Sequence, residues 1–96
     1  ALFNSTASNN TAVGKFAMRA ATTGPRNVAA GAGALSANTT GSDNTALGNN
    51  AGSAVTTGVN NVHIANAGVA TDTRAIRIGR QGTQTRTFIA GIRGTT

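Results

Sequence analysis

Cysteine, tryptophan, tyrosine and glutamate are all absent from this chain. Without Cys there are no disulfides and no thiolate metal sites, although a repetitive β-structure can persist outside the cell without bridges. The aromatics amount to three Phe in 96 residues, and the few large aliphatic side chains are spread along the whole length. A compact globule of this size needs bulkier residues for its core. Disorder fits no better, because only 10% of residues are charged and there is one Pro, whereas disordered chains are usually rich in both. No apolar run approaches a membrane span, so no membrane insertion is expected in this segment. No signal peptide or targeting tail stands in these residues, and a secreted form would carry its export signal elsewhere on a longer chain.

The chemistry of an enzyme is also thin. There is one His, and the acids are Asp43 and Asp72 alone. Ser5, His63 and Asp43 compose a hydrolytic triad on paper, but no nucleophile-elbow motif accompanies them. One His and two scattered Asp do not fill a coordination shell. No catalytic residue, metal or cofactor is therefore expected. The net charge of +6 comes from eight Lys and Arg and raises nucleic acid as a partner. Too few basic residues, no Tyr or Trp for base stacking and no known motif argue against it.

What the chain does have is a repeat. Asn10, Asn27, Asn44 and Asn61 recur with a constant 17-residue period. Gly14, Gly31 and Gly48 keep the same spacing, as do Ala17, Ala34 and Ala51, Thr22, Thr39, Thr56 and Thr73, and Gly24, Gly41 and Gly58. The unit reads N-[TV]-A-[VAL]-G-x-x-A, then five residues, then T-G-x-x. Residues 1–9 look like the second half of an earlier unit. After Asn61 the period shortens. Val62-His63-Ile64-Ala65 is echoed by Ile76-Arg77-Ile78-Gly79 at a 14-residue interval, and Phe88-Ile89-Ala90-Gly91 reads as a further echo at a still shorter one. Residues 1–60 thus form regular repeats, and residues 61–96 shortened coils and a transition segment.

A 17-residue unit is too short for the helix pairs of α-solenoids but suits one coil of a parallel β-solenoid. The expected coil has a first strand such as Thr11-Ala12-Val13-Gly14, a turn at Lys15-Phe16 or Asn49-Asn50, a second strand such as Ala34-Leu35-Ser36-Ala37, and a turn at Thr-Thr-Gly whose Gly supplies a positive φ. Strand alternation divides the first strand into two faces. Thr11 and Val13, Val28 and Ala30, Thr45 and Leu47, Val62 and Ile64, Ile76 and Ile78 lie on one face. Ala12, Ala29, Ala46, His63 and Arg77 lie on the other. An unpaired Arg does not sit in a narrow core, so the second face is expected to point outward. A bare Ala/Gly surface invites close packing by another chain, which makes Ala12, Ala29 and Ala46 the expected packing face of a self-associating module.

Asn10-Thr-Ala-Val-Gly14 and Asn44-Thr-Ala-Leu-Gly48 resemble the head repeats of trimeric autotransporter adhesins, the YadA-like heads, whose signature is of the Asn-Ser-Val-Ala-Ile-Gly type. The resemblance covers roughly residues 4–79. It implies an all-β, left-handed parallel β-roll assembled as a homotrimer on a bacterial surface, with a host-surface protein or polysaccharide as partner. The 17-residue period departs from the shorter coil common in those heads, and the family's neck, coiled-coil stalk and membrane anchor do not lie in these residues. Ile76-Arg-Ile-Gly79, Gln81-Gly-Thr-Gln-Thr85 and Phe88-Ile-Ala-Gly-Ile-Arg-Gly94 resemble a segment that follows such repeats in large bacterial surface proteins and phage-like tail fibres. There it often precedes an intramolecular chaperone domain that helps the trimer assemble and then cuts itself off. The implied function is a non-enzymatic structural module of a trimeric extracellular fibre or adhesin head. A spacer or receptor-binding segment of a phage tail fibre is the alternative.

The remaining residues have two readings each. The Asn column is a backbone-bonding ladder (with Gly14, Gly31 and Gly48 beside it) or a carbohydrate contact. His63 is a tolerated surface or inter-chain residue, or a pH-responsive group around a trimer axis. Arg74, Arg77, Arg80, Arg86 and Arg93 are a solvated face or an anion-binding cluster. The Thr column raises ice binding, but Thr22-Thr23, Thr39-Thr40 and Thr56-Thr57 are adjacent pairs that point to opposite sides. Asn4-Ser5-Thr6, Asn9-Asn10-Thr11 and Asn38-Thr39-Thr40 match glycosylation sequons, as chance predicts in so Asn- and Thr-rich a chain.

Overall fold

A computed structural model describes residues 8–92. Its regular structure is five short strands: β1 (Thr11–Val13), β2 (Val28–Ala30), β3 (Thr45–Leu47), β4 (Val62–Ile64) and β5 (Ile76–Ile78). They form one parallel sheet in chain order, β1-β2-β3-β4-β5. The repeat is the register itself. Thr11 pairs with Val28, Val28 with Thr45 and Thr45 with Val62, each partner one full repeat further along. Val62 then pairs with Ile76 across a shorter, 14-residue coil. The chain is thus an all-β solenoid of about four turns, 43 Å in its longest dimension. The echo at Phe88-Ile89-Ala90-Gly91 forms no strand.

Each strand is short because the backbone leaves the β region on both sides of it. Before the strands, Asn9, Arg26, Asp43, Asn60 and Arg74 take left-handed φ of 66°, 60°, 58°, 58° and 58°. After them, Gly14, Gly31 and Gly48 take φ of 123°, 137° and 116°. The Gly of Thr-Thr-Gly has a different role from the one expected. Gly24, Gly41 and Gly58 are not among the positive-φ residues. They are glycines because coils stack there without room for a side chain: a Cβ on Gly24 would strike the backbone carbonyl of Gly41, and one on Gly58 that of Asp72. The expected second strand is also absent. Residues 15–20 and 32–37 are consecutive turns, closed by short-range bonds such as Ala17 N–H to Gly14 O at 3.2 Å and Ala34 N–H to Gly31 O at 3.1 Å. Bonds to the next coil continue through them, from Met18 N–H to Ala34 O at 2.8 Å and from Leu35 N–H to Ala51 O at 2.9 Å.

The two faces of the sheet are reversed from expectation. Ala29, Ala46 and His63 are fully buried, and Ala12 packs against the core, whereas Val13, Val28, Leu47, Ile76 and Ile78 are exposed. Ala12, Ala29 and Ala46 therefore line the inside of the coil and cannot be a packing face for another chain. The reason is the thinness of the solenoid. The turn wall opposite the strands sends Met18 and Leu35 into the interior, where they share one cluster with Ala17, Ala21, Ala29, Ala34, Ala46 and Ala51. Interiors are close-packed, and a wall that contributes Met and Leu leaves only an Ala-sized space on the strand side.

Candidate functional site

Three features of the solenoid carry chemistry: a polar ladder, a charged cluster at the short coil, and the outer sheet face. The ladder is the Asn column. Asn10 Oδ1 accepts from Asn27 N–H at 2.8 Å, Asn27 Oδ1 from Asn44 N–H at 2.9 Å, and Asn44 Oδ1 from Asn61 N–H at 3.0 Å. Asn61 Oδ1 accepts from Ala75 N–H at 2.9 Å. The amide groups donate in turn to the Gly column, from Asn27 to Gly41 O at 2.8 Å and from Asn44 to Gly58 O at 2.9 Å. Asn27, Asn44 and Asn61 are fully buried, so within one chain they satisfy backbone groups and are closed to a carbohydrate.

The fourth coil changes this pattern. Its shorter path puts Asp72 in the place held by Gly24, Gly41 and Gly58, and Asn61 Nδ2 donates to Asp72 O at 3.0 Å as its predecessors do to Gly. The Asp72 side chain turns inward. Oδ2 lies 3.0 Å from His63 Nε2 and accepts from Val69 N–H at 3.0 Å and Arg77 Nε at 2.7 Å. Oδ1 accepts from Arg77 Nη2 at 2.8 Å. Since an ionised carboxylate only accepts, the bonded Nε2 carries a proton. The bidentate Arg77 guanidinium, helped by His63 and the Val69 amide, holds the Asp72 carboxyl well below the usual carboxylate range, although burial opposes this.

His63, expected on the surface, is fully buried. It fills a space that the opposite wall vacates, because that wall contributes Gly52 where earlier coils contribute Met18 and Leu35. A Cβ on Gly52 would lie 2.8 Å from Leu35 Cδ2 and 3.6 Å from His63 Nδ1. Arg77 also bonds inward, with its outer part still in solvent. The premise that Arg77 is unpaired does not hold, because Asp72 is its partner.

The other expected sites do not assemble. Asp43 pairs with Arg26 through Nε–Oδ1 at 2.7 Å and Nη2–Oδ2 at 3.1 Å, on the exposed turn, while His63 takes Asp72. The paper triad is not formed, and Ser5 lies outside the described residues. The five Arg are not one anion cradle. Arg77 is neutralised by Asp72, Arg74 is the turn residue before β5, Arg86 lies over the Phe88 ring at 5.1 Å, and Arg93 lies outside the described residues. Arg80 borders an open cleft of about 400 Å³ together with Arg77, Gln81 and Gln84. Thr22 and Thr39 hydroxyls donate to the carbonyls of Thr39 and Thr56 at 3.1 and 3.4 Å, and Thr73 falls out of that column because the fourth coil is shorter.

The outer face of the sheet is what remains open. Its two rows are Thr11, Val28, Thr45, Val62, Ile76 and Val13, Ala30, Leu47, Ile64, Ile78, with no charge at any position. Val13 is 63% exposed and Ile76 71%. A row of β-branched and Leu side chains in water has the character of an interaction surface. Alternation groups these rows correctly, and the premise of an unpaired Arg77 put them on the wrong side. No protein-family model, curated protein or solved structure matches the chain.

Proposed function

We propose that this chain is a non-enzymatic structural module of a trimeric extracellular fibre or adhesin head, in which copies pack side by side and exposed turns present an elongated surface for attachment. The observation that carries the reading is the uncharged outer sheet face, where Val13, Val28, Leu47, Ile76 and Ile78 stand in solvent on a single chain. Burial of such side chains stabilises by roughly 1.5–3 kcal/mol each when complete, and a neighbouring copy would supply it. The Asn ladder and parallel backbone bonds run along the solenoid axis, the direction in which a fibre bears load. Self-association through the outer rows replaces the Ala/Gly face as the contact. A host-surface protein or polysaccharide is the partner for the turns, and the carrier is a bacterial surface or a phage tail fibre. Ice binding has less support, because Thr22 and Thr39 use their hydroxyls within the solenoid. Light scattering coupled to size exclusion tests the assembly: a mass near three times the 9.4 kDa chain is expected, and a folded monomer at all concentrations contradicts it.

A further inference from the structure

The sequence holds two acidic side chains, Asp43 and Asp72, and both are taken. Asp43 pairs with Arg26, and Asp72 with Arg77. No acidic side chain of the chain is left for Arg80, which lines two open clefts of about 400 and 290 Å³. The larger is within the size range of small-ligand sites. It sets Ile76 and Ile78 of β5 beside the polar side chains of Gln81, Gln84 and Thr87. The turn that carries Arg80 is tied down by its own hydrogen bonds. Thr83 N–H donates to Arg80 O at 2.9 Å, and Arg80 N–H donates to Gln84 Oε1 at 2.6 Å. Gly79, with φ of 81°, leaves room for that side chain, since a Cβ there would lie 2.9 Å from Gln84 Oε1. With its oxygen committed to Arg80, Gln84 offers a ligand the donor end of its amide.

Charge decides what suits this cleft. Arg77 is already compensated by Asp72, so the lining carries one uncompensated positive charge, on the guanidinium of Arg80. A guanidinium fork matches a carboxylate in shape, and a single charge balances a monoanion where it would leave a phosphate dianion half compensated. Amide groups, a hydroxyl and two Ile around that charge match the hydroxyl rim and the apolar C–H face of a sugar ring. We infer that the cleft beside β5 binds a carboxylate-bearing saccharide, a uronic acid unit. Arg80 takes the carboxylate, Gln81, Gln84 and Thr87 take ring hydroxyls, and Ile76 and Ile78 lie against the C–H face. The inference rests on the polysaccharide attachment proposed above, and names its acidic class and the residues that hold it. In an assembly of three copies the site appears three times, and a polymer that repeats the carboxylate engages several sites at once.

The test titrates the full chain with trigalacturonate, with its methyl ester and with sodium sulfate, followed by residue-resolved NMR. Trigalacturonate should shift the Arg80 amide and the side-chain amides of Gln81 and Gln84. Removing the charge from either side, by Arg80→Gln or by the methyl ester, should weaken binding by about tenfold or more. Arg19→Gln, the same charge change on a distant turn, should change it by less than about twofold. Equal weakening by Arg19→Gln and Arg80→Gln reduces the binding to general attraction by a basic chain and overturns the site. Equal affinity for the methyl ester, or no shift with trigalacturonate, overturns it too. Sulfate shifting the same resonances at equal concentration marks an adventitious ion only and also overturns it. Assembly is read separately from the solution mass: a trimer without these shifts loses the site and keeps the module, and a monomer with them keeps the site and loses the module.

Discussion

The three 17-residue coils and the 14-residue coil that follows them fill the same narrow interior by different means. In the regular coils, Met18 and Leu35 reach across to Ala12, Ala29 and Ala46, and the buried polar side chains are the Asn ladder and Asn38, whose Nδ2 donates to Gly41 O at 3.2 Å. Where the third regular coil meets the short one, Gly52 stands in the place of Met18 and Leu35, and His63, Asp72 and Arg77 occupy the space as a hydrogen-bonded cluster. The first solution repeats without limit, since each coil presents to the next the surface it received. The second does not, because Arg77 leads its charge toward solvent. The short coil therefore has the character of an end piece, and the contrast is between a core that propagates and one that terminates.

Removing Leu35 should break the propagating core most severely. Leu35→Ala truncates one of the two largest apolar side chains of the interior and leaves a cavity that the rigid coil cannot close, so a loss of about 2–5 kcal/mol is expected in denaturant unfolding. Asp72→Ala should strike the terminating core. It strands the buried His63 Nε2, worth about 1–3 kcal/mol when unpartnered, and its effect should be confined to hydrogen exchange in β4 and β5. A pH series sharpens the same contrast. Because the folded-state Asp72 carboxyl is depressed, its contribution is present in full above the ordinary carboxylate pKa of about 4 and is lost as pH falls from there through the folded value. Wild type should lose stability over that acid window, and Asp72→Ala should lose less. The smallest effect belongs to Arg26→Ala. Its pair with Asp43 stands on an exposed turn, and thermal unfolding in moderate salt should not distinguish this variant from wild type.

Much of the solenoid was legible in the sequence because stacking demands equal coil lengths. The 17-residue spacing of Asn10, Asn27, Asn44 and Asn61 is the strand register, and the 14-residue echo at Ile76-Arg77-Ile78 is the last pairing. Sidedness was not legible from one strand. Alternation separates two faces but does not say which is enclosed, and the premise that Arg77 is unpaired chose the wrong one. The deciding residues, Met18 and Leu35, lie in turns with left-handed φ of 50° and 51°, a conformation that strand periodicity does not anticipate. The charged cluster had a signal that was available. Aligning the shortened last coil by its strand echo places His63 after Ala46, Arg77 after His63 and Asp72 after Gly58, so that three polar residues replace small ones at a single end. Their mutual pairing explains the replacement, whereas each residue considered alone suggests the surface.

The central claim is that the outer strand rows are covered by other copies while the Ala column is sealed within each chain. Carbene footprinting of the full chain, read residue by residue at high and at dissociating concentration, measures this directly. Val13, Leu47 and Ile76 should label strongly in the dissociated chain and at least severalfold less in the assembly, with Ala29 and Ala46 unlabelled in both. Equal labelling of Val13, Leu47 and Ile76 at the two concentrations would contradict the claim.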